Sequence, residues 1–165
     1  MRNVTLAAIV CLCLGSGGLQ AQTTDPQIVA PIQKFMDSFN KGDMAGAAAT
    51  HAAEADLVIV DEVAPFLWRG PRAFQQWSTD LDNDAKKQGI AEAMVKVGAP
   101  TRTEVSGDQA YVVAPAVYTF KQRGVAMRAS AQMTFVLKKG PGGWLIHGWT
   151  WTGARAQKAQ ASGAK

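Results

Sequence analysis

Ile28, Ile32, Phe35, Met36 and Phe39 recur at three- and four-residue spacing, the stripe of a helix with one apolar face. Asp25-Pro26 supplies a cap and a first turn for it, and Asn40-Lys41-Gly42 ends it, with Gly42 suited to a left-handed C-terminal position. Asp43 caps a shorter second helix, Met44 to His51, whose alanines allow close packing on the first. Leu57 to Val60 has the β-branched, apolar character of a strand, and Val63 to Trp68 reads as a second extended piece interrupted by Pro65. Gly70-Pro71 restarts a helix, with Phe74, Trp77, Leu81 and Ala85 on one face and Gly89 as its stop. Five β segments follow: Glu92 to Val97, Thr101 to Val105, Ala110 to Phe120, Ala126 to Leu137 and Trp144 to Thr152. Ser106-Gly107-Asp108, Gln122-Arg123-Gly124 and the Gly140 to Gly143 run supply turns. Helices first and then an antiparallel meander predict an α+β fold, with about three N-terminal helices on one face of a curved sheet.

The ends of the chain change this picture. Met1-Arg2, the apolar stretch Val4 to Leu14 and the small-residue exit Leu19-Gln20-Ala21 have the layout of a secretory signal peptide over residues 1–21. The expected location is periplasmic or secreted, with no membrane insertion after cleavage. Cys11 and Cys13 are the only cysteines, and they would leave with that segment. Residues 22–153 form the expected domain, and 154–165 an Ala/Gln/Lys tail expected to be flexible. Charge is divided unevenly: all 13 acids precede residue 109, whereas residues 109–165 carry 8 bases. Those bases flank apparent turns or lie in the tail, so they predict at most a weakly anionic ligand. Nucleic acid is not an expected partner of an exported protein.

The segment FMDSFNKGDMAGAAATHAAEADLVIVDEVAPFLWRGPRAFQQW, followed by SGDQAYVV and GGWLIHGWTW, resembles the nuclear transport factor 2-like superfamily, especially its SnoaL-like and ketosteroid-isomerase-like branches. The resemblance runs over about residues 28–152. It implies a cone-shaped, cystatin-like roll with a pocket on the concave face of the sheet, and a homodimer through the exposed face. Such pockets host enzymes, binders and scaffolds alike, so the activity has to be argued from the pocket's own residues.

Asp61 follows the Leu57 to Val60 strand, where the resemblance puts the aspartate general base of ketosteroid isomerases. Phe35 stands where those isomerases place an oxyanion-hole tyrosine, and no acid follows Asp108 to serve as their protonated aspartate. Losing even one such donor costs about 3 kcal/mol of transition-state binding, so steroid isomerisation is not expected. His147 is the second titratable candidate. Strict alternation groups Leu145, His147, Trp149 and Trp151 on one face, and Trp144, Ile146, Gly148 and Thr150 on the other. An imidazole there suits acid–base work near neutral pH, and equally a structural hydrogen bond. His51, at the end of the second helix, reads as a cap or a partner of the helix dipole. Trp68, Trp77 and Trp149 offer aromatic walls for a flat apolar ligand or a cation, or else core filling; Tyr118 and Arg128 offer a hydroxyl and a guanidinium. Two distant histidines and no cysteine in the mature chain predict neither a metal nor another cofactor.

Two functions follow as expectations. One is a domain that binds a small, mostly apolar molecule or acts as a dimeric interaction module. The other is a SnoaL-like isomerase, hydro-lyase or cyclase that moves a proton with Asp61 and His147, which requires both side chains to converge on one cavity.

Overall fold

The computed structural model describes residues 25–160, so the segment expected as a signal peptide, with both cysteines, lies outside the described residues. Helix α1 spans Pro26–Asn40, and the Asp25 side chain accepts the Gln27 N–H at its start. Ile28, Ile32, Phe35 and Met36 of its apolar stripe are buried as the spacing predicts, and Phe39 is half-buried. Gly42, at φ +73°, turns the chain into α2, Met44–Ala48, which Asp43 caps by accepting the Gly46 N–H. This second helix is shorter than expected; residues 49–50 form a turn.

The strands are β1 (Val58–Val60), β2 (Leu67–Arg69), β3 (Ile90–Val97), β4 (Arg102–Ser106), β5 (Gln109–Gln122), β6 (Val125–Gly140), β7 (Gly143–Gly153) and β8 (Gln157–Lys158), with α3 (Ala73–Gln88) before β3. They form one sheet in the order β2-β1-β7-β6-β5-β3, with β4 on β5 and β8 on β6. The fold is α+β, but the sheet is not wholly antiparallel: β1 runs parallel to β7, Val58 to Val60 beside Gly148 to Thr150. Gly148 permits that approach, since a Cβ there would lie 3.0 Å from the Val58 carbonyl oxygen. Within the expected flexible tail, Gln157 and Lys158 pair with Arg128 and Met127.

The core lies between the inner face of the sheet and the helices, with Ile28, Phe35, Ile59, Phe135, Leu137 and Ile146 almost wholly buried. Alanines at 110, 114, 116 and 129 are buried on the inner faces of β5 and β6. Asn40 fixes the end of α1 to β3. Its amide donates to the Val95 carbonyl at 2.7 Å and accepts the Val95 N–H at 2.8 Å.

β7 carries the main departure from simple alternation. Val136 pairs with Gly148 and Leu137 with Ile146, so His147 is an extra residue opposite the β6 ladder, a β-bulge. Before it Trp144 and Ile146 are buried; after it Trp149 is buried and Trp151 half-buried. The predicted division of these residues between two faces is therefore corrected: Trp144, Ile146, Trp149 and Trp151 share the inner side. Deleting His147 leaves the pairing on both sides in step, so that variant is expected to fold with a loss within about 2 kcal/mol. Urea unfolding followed by tryptophan emission checks this; a red-shifted, solvent-exposed native spectrum would contradict the register.

Candidate functional site

A cavity of about 750 Å³ opens between α1, α3 and the inner face of the sheet. Phe35 and Phe39 come from α1, Trp77 from α3, Tyr118 from β5, Met133 from β6, and Trp149 and Trp151 from β7. Trp77 and Trp149 meet edge to face with centroids 5.0 Å apart, and Tyr118 meets Trp151 edge to face at 6.3 Å. Phe66, which also lines the cavity, is 58% exposed.

Charged groups stand against this aromatic wall. Asp61 lies directly after β1, half-buried; its Oδ2 accepts the Trp77 indole N–H at 2.7 Å, and its Oδ1 accepts the Glu62 backbone N–H at 2.7 Å. Burial raises the Asp61 carboxyl above the ordinary range, against the pull of those two donors. Glu62, which lines the cavity but is exposed, is raised by partial burial and then by the charges of Asp61 and Asp84. Asp84, which lines the cavity from α3, accepts from Gln88, whose own side-chain carbonyl accepts the Gln122 amide at 3.0 Å. Burial and the three carboxylates together push the Tyr118 hydroxyl up to about 12, so it remains a neutral O–H at physiological pH. Arg155 is the one basic side chain among the lining residues.

Of the residues expected from the sequence, Asp61, Phe35, Trp77, Tyr118 and Trp149 are brought together here, whereas His147, Trp68 and Arg128 are not. The bulge carries His147 away from the cavity, to where its Nδ1 lies 3.5 Å from Asp56 Oδ1. Trp68, in the middle of β2, is buried and donates to Asp80 at 2.8 Å. Arg128 is exposed, and it alternates with Met127 and Ala129, which face inward. Sequence reasoning missed Glu62, Asp84 and Arg155 as lining residues. Asp84 was within reach of the helical pattern, because Trp77, Leu81, Asp84 and Gln88 recur at four, three and four residues.

His51 is structural. Its Nδ1 lies 3.0 Å from the Ala47 carbonyl, and its Nε2 accepts the Trp149 indole N–H at 3.1 Å. Those partners fix the neutral tautomer with the proton on Nδ1. The ring packs against Phe35 and Phe74, and burial lowers its pKa to about 4.

Outside the cavity, Glu54, Asp56 and His147 bring one ligand atom each to within 4.8 Å of one another. The linear spacing shows no ligand pattern, because the fold joins residues about ninety positions apart. Both acids are exposed, and nothing in the arrangement sets it apart from a solvated charge cluster.

The SnoaL-like domain model matches residues 28–149. The fold is shared with a ketosteroid isomerase-like protein from Erwinia carotovora atroseptica (19% identity, TM-score 0.60), over 79% of this chain and 95% of that one. It is also shared with a nuclear transport factor 2-like superfamily protein from Salmonella enterica serovar Typhimurium (17% identity, TM-score 0.64), over 85% and 96%. A type 2 hexachlorocyclohexane dehydrochlorinase is similar over 79% and 88% (16% identity, TM-score 0.63). Among curated proteins no sequence match is found. The matched model covers both cavity-forming helices, β1 to β6 and β7 as far as Trp149, and this chain belongs to the SnoaL-like family of the nuclear transport factor 2-like superfamily.

Proposed function

We propose that this chain is an exported domain that binds a small, mostly apolar molecule in the cavity. The observation that carries the reading is the cavity itself: about 750 Å³ walled by aromatic side chains with a few carboxylates, the constitution of a small-molecule site. Export rests on the N-terminal sequence alone and is tested by intact mass, with a mature start near Gln22 expected. Native mass spectrometry of protein purified from its own host is expected to show a bound molecule that Trp149→Ala releases. A homodimer belongs to the same proposal; its support is the exposed set Val105, Tyr111, Val136 and Leu145 rather than the late tryptophans, and light scattering tests it.

A second reading, proton transfer, is favoured by one observation: Asp61 is a desolvated carboxyl with a raised pKa on the wall of an apolar cavity. In this version Asp61 works without His147. A turnover screen on enolisable ketones, hydroxy-acyl compounds and chlorinated hydrocarbons is expected to show a 10²- to 10⁴-fold loss, roughly, for Asp61→Asn and none for His147→Ala. Equal activity in all three proteins moves the chemistry elsewhere; no activity in any returns the chain to binding alone.

A further inference from the structure

We infer that the ligand of this cavity is a cation, an apolar or aromatic body bearing an amine or quaternary ammonium group. The inference rests on the binding reading above and deepens it by naming the ligand's charge.

Three carboxylates, Asp61, Glu62 and Asp84, line one cavity against a single guanidinium, that of Arg155. Among the described residues no ion pair joins Arg155 to any of them, so the acids are not neutralised from within. They come from two separate elements, the loop after β1 and helix α3, so their convergence is a product of the fold rather than of one charged run. Burial is the larger cause of the raised Glu62 and Tyr118, and the neighbouring carboxylates add to it: Asp61 and Asp84 for Glu62, all three for Tyr118. An anionic ligand would add to that repulsion, and a cationic one would relieve it.

The remaining walls fit the same charge. Trp77, Trp149, Trp151 and Tyr118 line the space with π-systems at varied tilt, and aromatic surfaces hold ammonium groups by the attraction of the ring quadrupole. An ammonium beside the carboxylates, with its apolar body along Phe35, Phe39 and Met133, uses both halves of the lining. The basic second half of the sequence does not alter this, because among the described residues of that half Arg155 is the only base that lines the cavity.

The test is a matched trio of similar size, (2-naphthylmethyl)trimethylammonium, 2-naphthylmethanol and 2-naphthoate, titrated calorimetrically into the full protein at neutral pH. The cation is expected to bind at least about tenfold more tightly than the alcohol, with naphthoate weakest. Arg155→Gln lies outside the helices and strands and is expected to strengthen cation binding; Glu62→Gln and Asp84→Asn are each expected to weaken it about three- to tenfold while leaving the alcohol unchanged. That opposite response separates charge recognition from a general loss of structure. Equal binding of cation and alcohol would overturn the inference and leave the cavity reading standing. Tightest binding by naphthoate would overturn it in favour of Arg155. Binding of none at millimolar concentration would remove both readings.

Discussion

Acidification from pH 6.5 to about 4 is expected to remove about 3 kcal/mol of stability through the imidazole of His51, whose pKa is lowered from 6.5 to about 4. Above 6.5 the ring is neutral in both folded and unfolded chains, and its contribution is complete. Below 6.5 the unfolded chain takes up a proton that the folded chain refuses, so stability falls until the folded ring titrates near 4. Protonation would put a hydrogen on Nε2, which accepts from Trp149 in the folded state, so two donors would face each other inside the core. Asp61 and Glu62 act in the opposite sense. Their folded pKa values are raised, so acidification through those values relieves a cost of keeping them charged. The net slope therefore understates the histidine. Comparison with His51→Gln, a side chain with no proton to gain, isolates it. Urea unfolding at pH 7 and pH 4.5 should show the wild type losing clearly more stability than the variant; equal losses would mean that His51 is not the acid-labile group.

What the sequence disclosed follows from how local each determinant is. The α1 stripe, the Asp43 cap and the Gly89 stop depend on neighbours within a few residues, and each is found in place. Asp61 was legible because a carboxylate directly after a short apolar strand can only sit at the strand's end. The position of His147 was not legible. Alternation fixes faces only while pairing is regular, and the bulge depends on the register of β7 against β6 and β1, which no local pattern encodes. The parallel pairing of β1 with β7 joins residues about ninety positions apart, and the chain order of helices and strands gave no sign of it. Glu62 and Asp84 escaped for a different reason. Each reads locally as a solvated acid, and their meaning arises only when α3 and the loop after β1 are brought onto one cavity. The place of His51 at the end of the second helix predicts a cap or a dipole partner, and its bond to Ala47 agrees with the cap; its second partner, Trp149, lies 98 residues away.

Trp149→Ala is expected to cost about 3–5 kcal/mol, the range for deleting a large buried aromatic side chain. The residue is 4% exposed, and it pairs with Ile59 on β1 and Phe135 on β6. Its ring lies 5.8 Å from Phe35 and 5.0 Å from Trp77. Truncation would remove the contact that ties α1 and α3 to the centre of the sheet and would also orphan the His51 acceptor. Trp149→Phe separates these effects. It keeps most of the aromatic volume but deletes the indole N–H, and an unpaired buried acceptor costs about 1–3 kcal/mol. Because the lost donor stabilises the neutral imidazole, His51 should titrate above its wild-type value in the phenylalanine variant, which NMR of the imidazole protons reads directly. A double-mutant cycle with His51→Gln should give a coupling of about 0.5–3 kcal/mol, as contacting residues do. Additive losses, with an unmoved His51 titration, would show that the two rings are held by packing alone. The hydrogen bond from β7 to the end of the α2 turn would then have no part in fixing the cavity's inner wall.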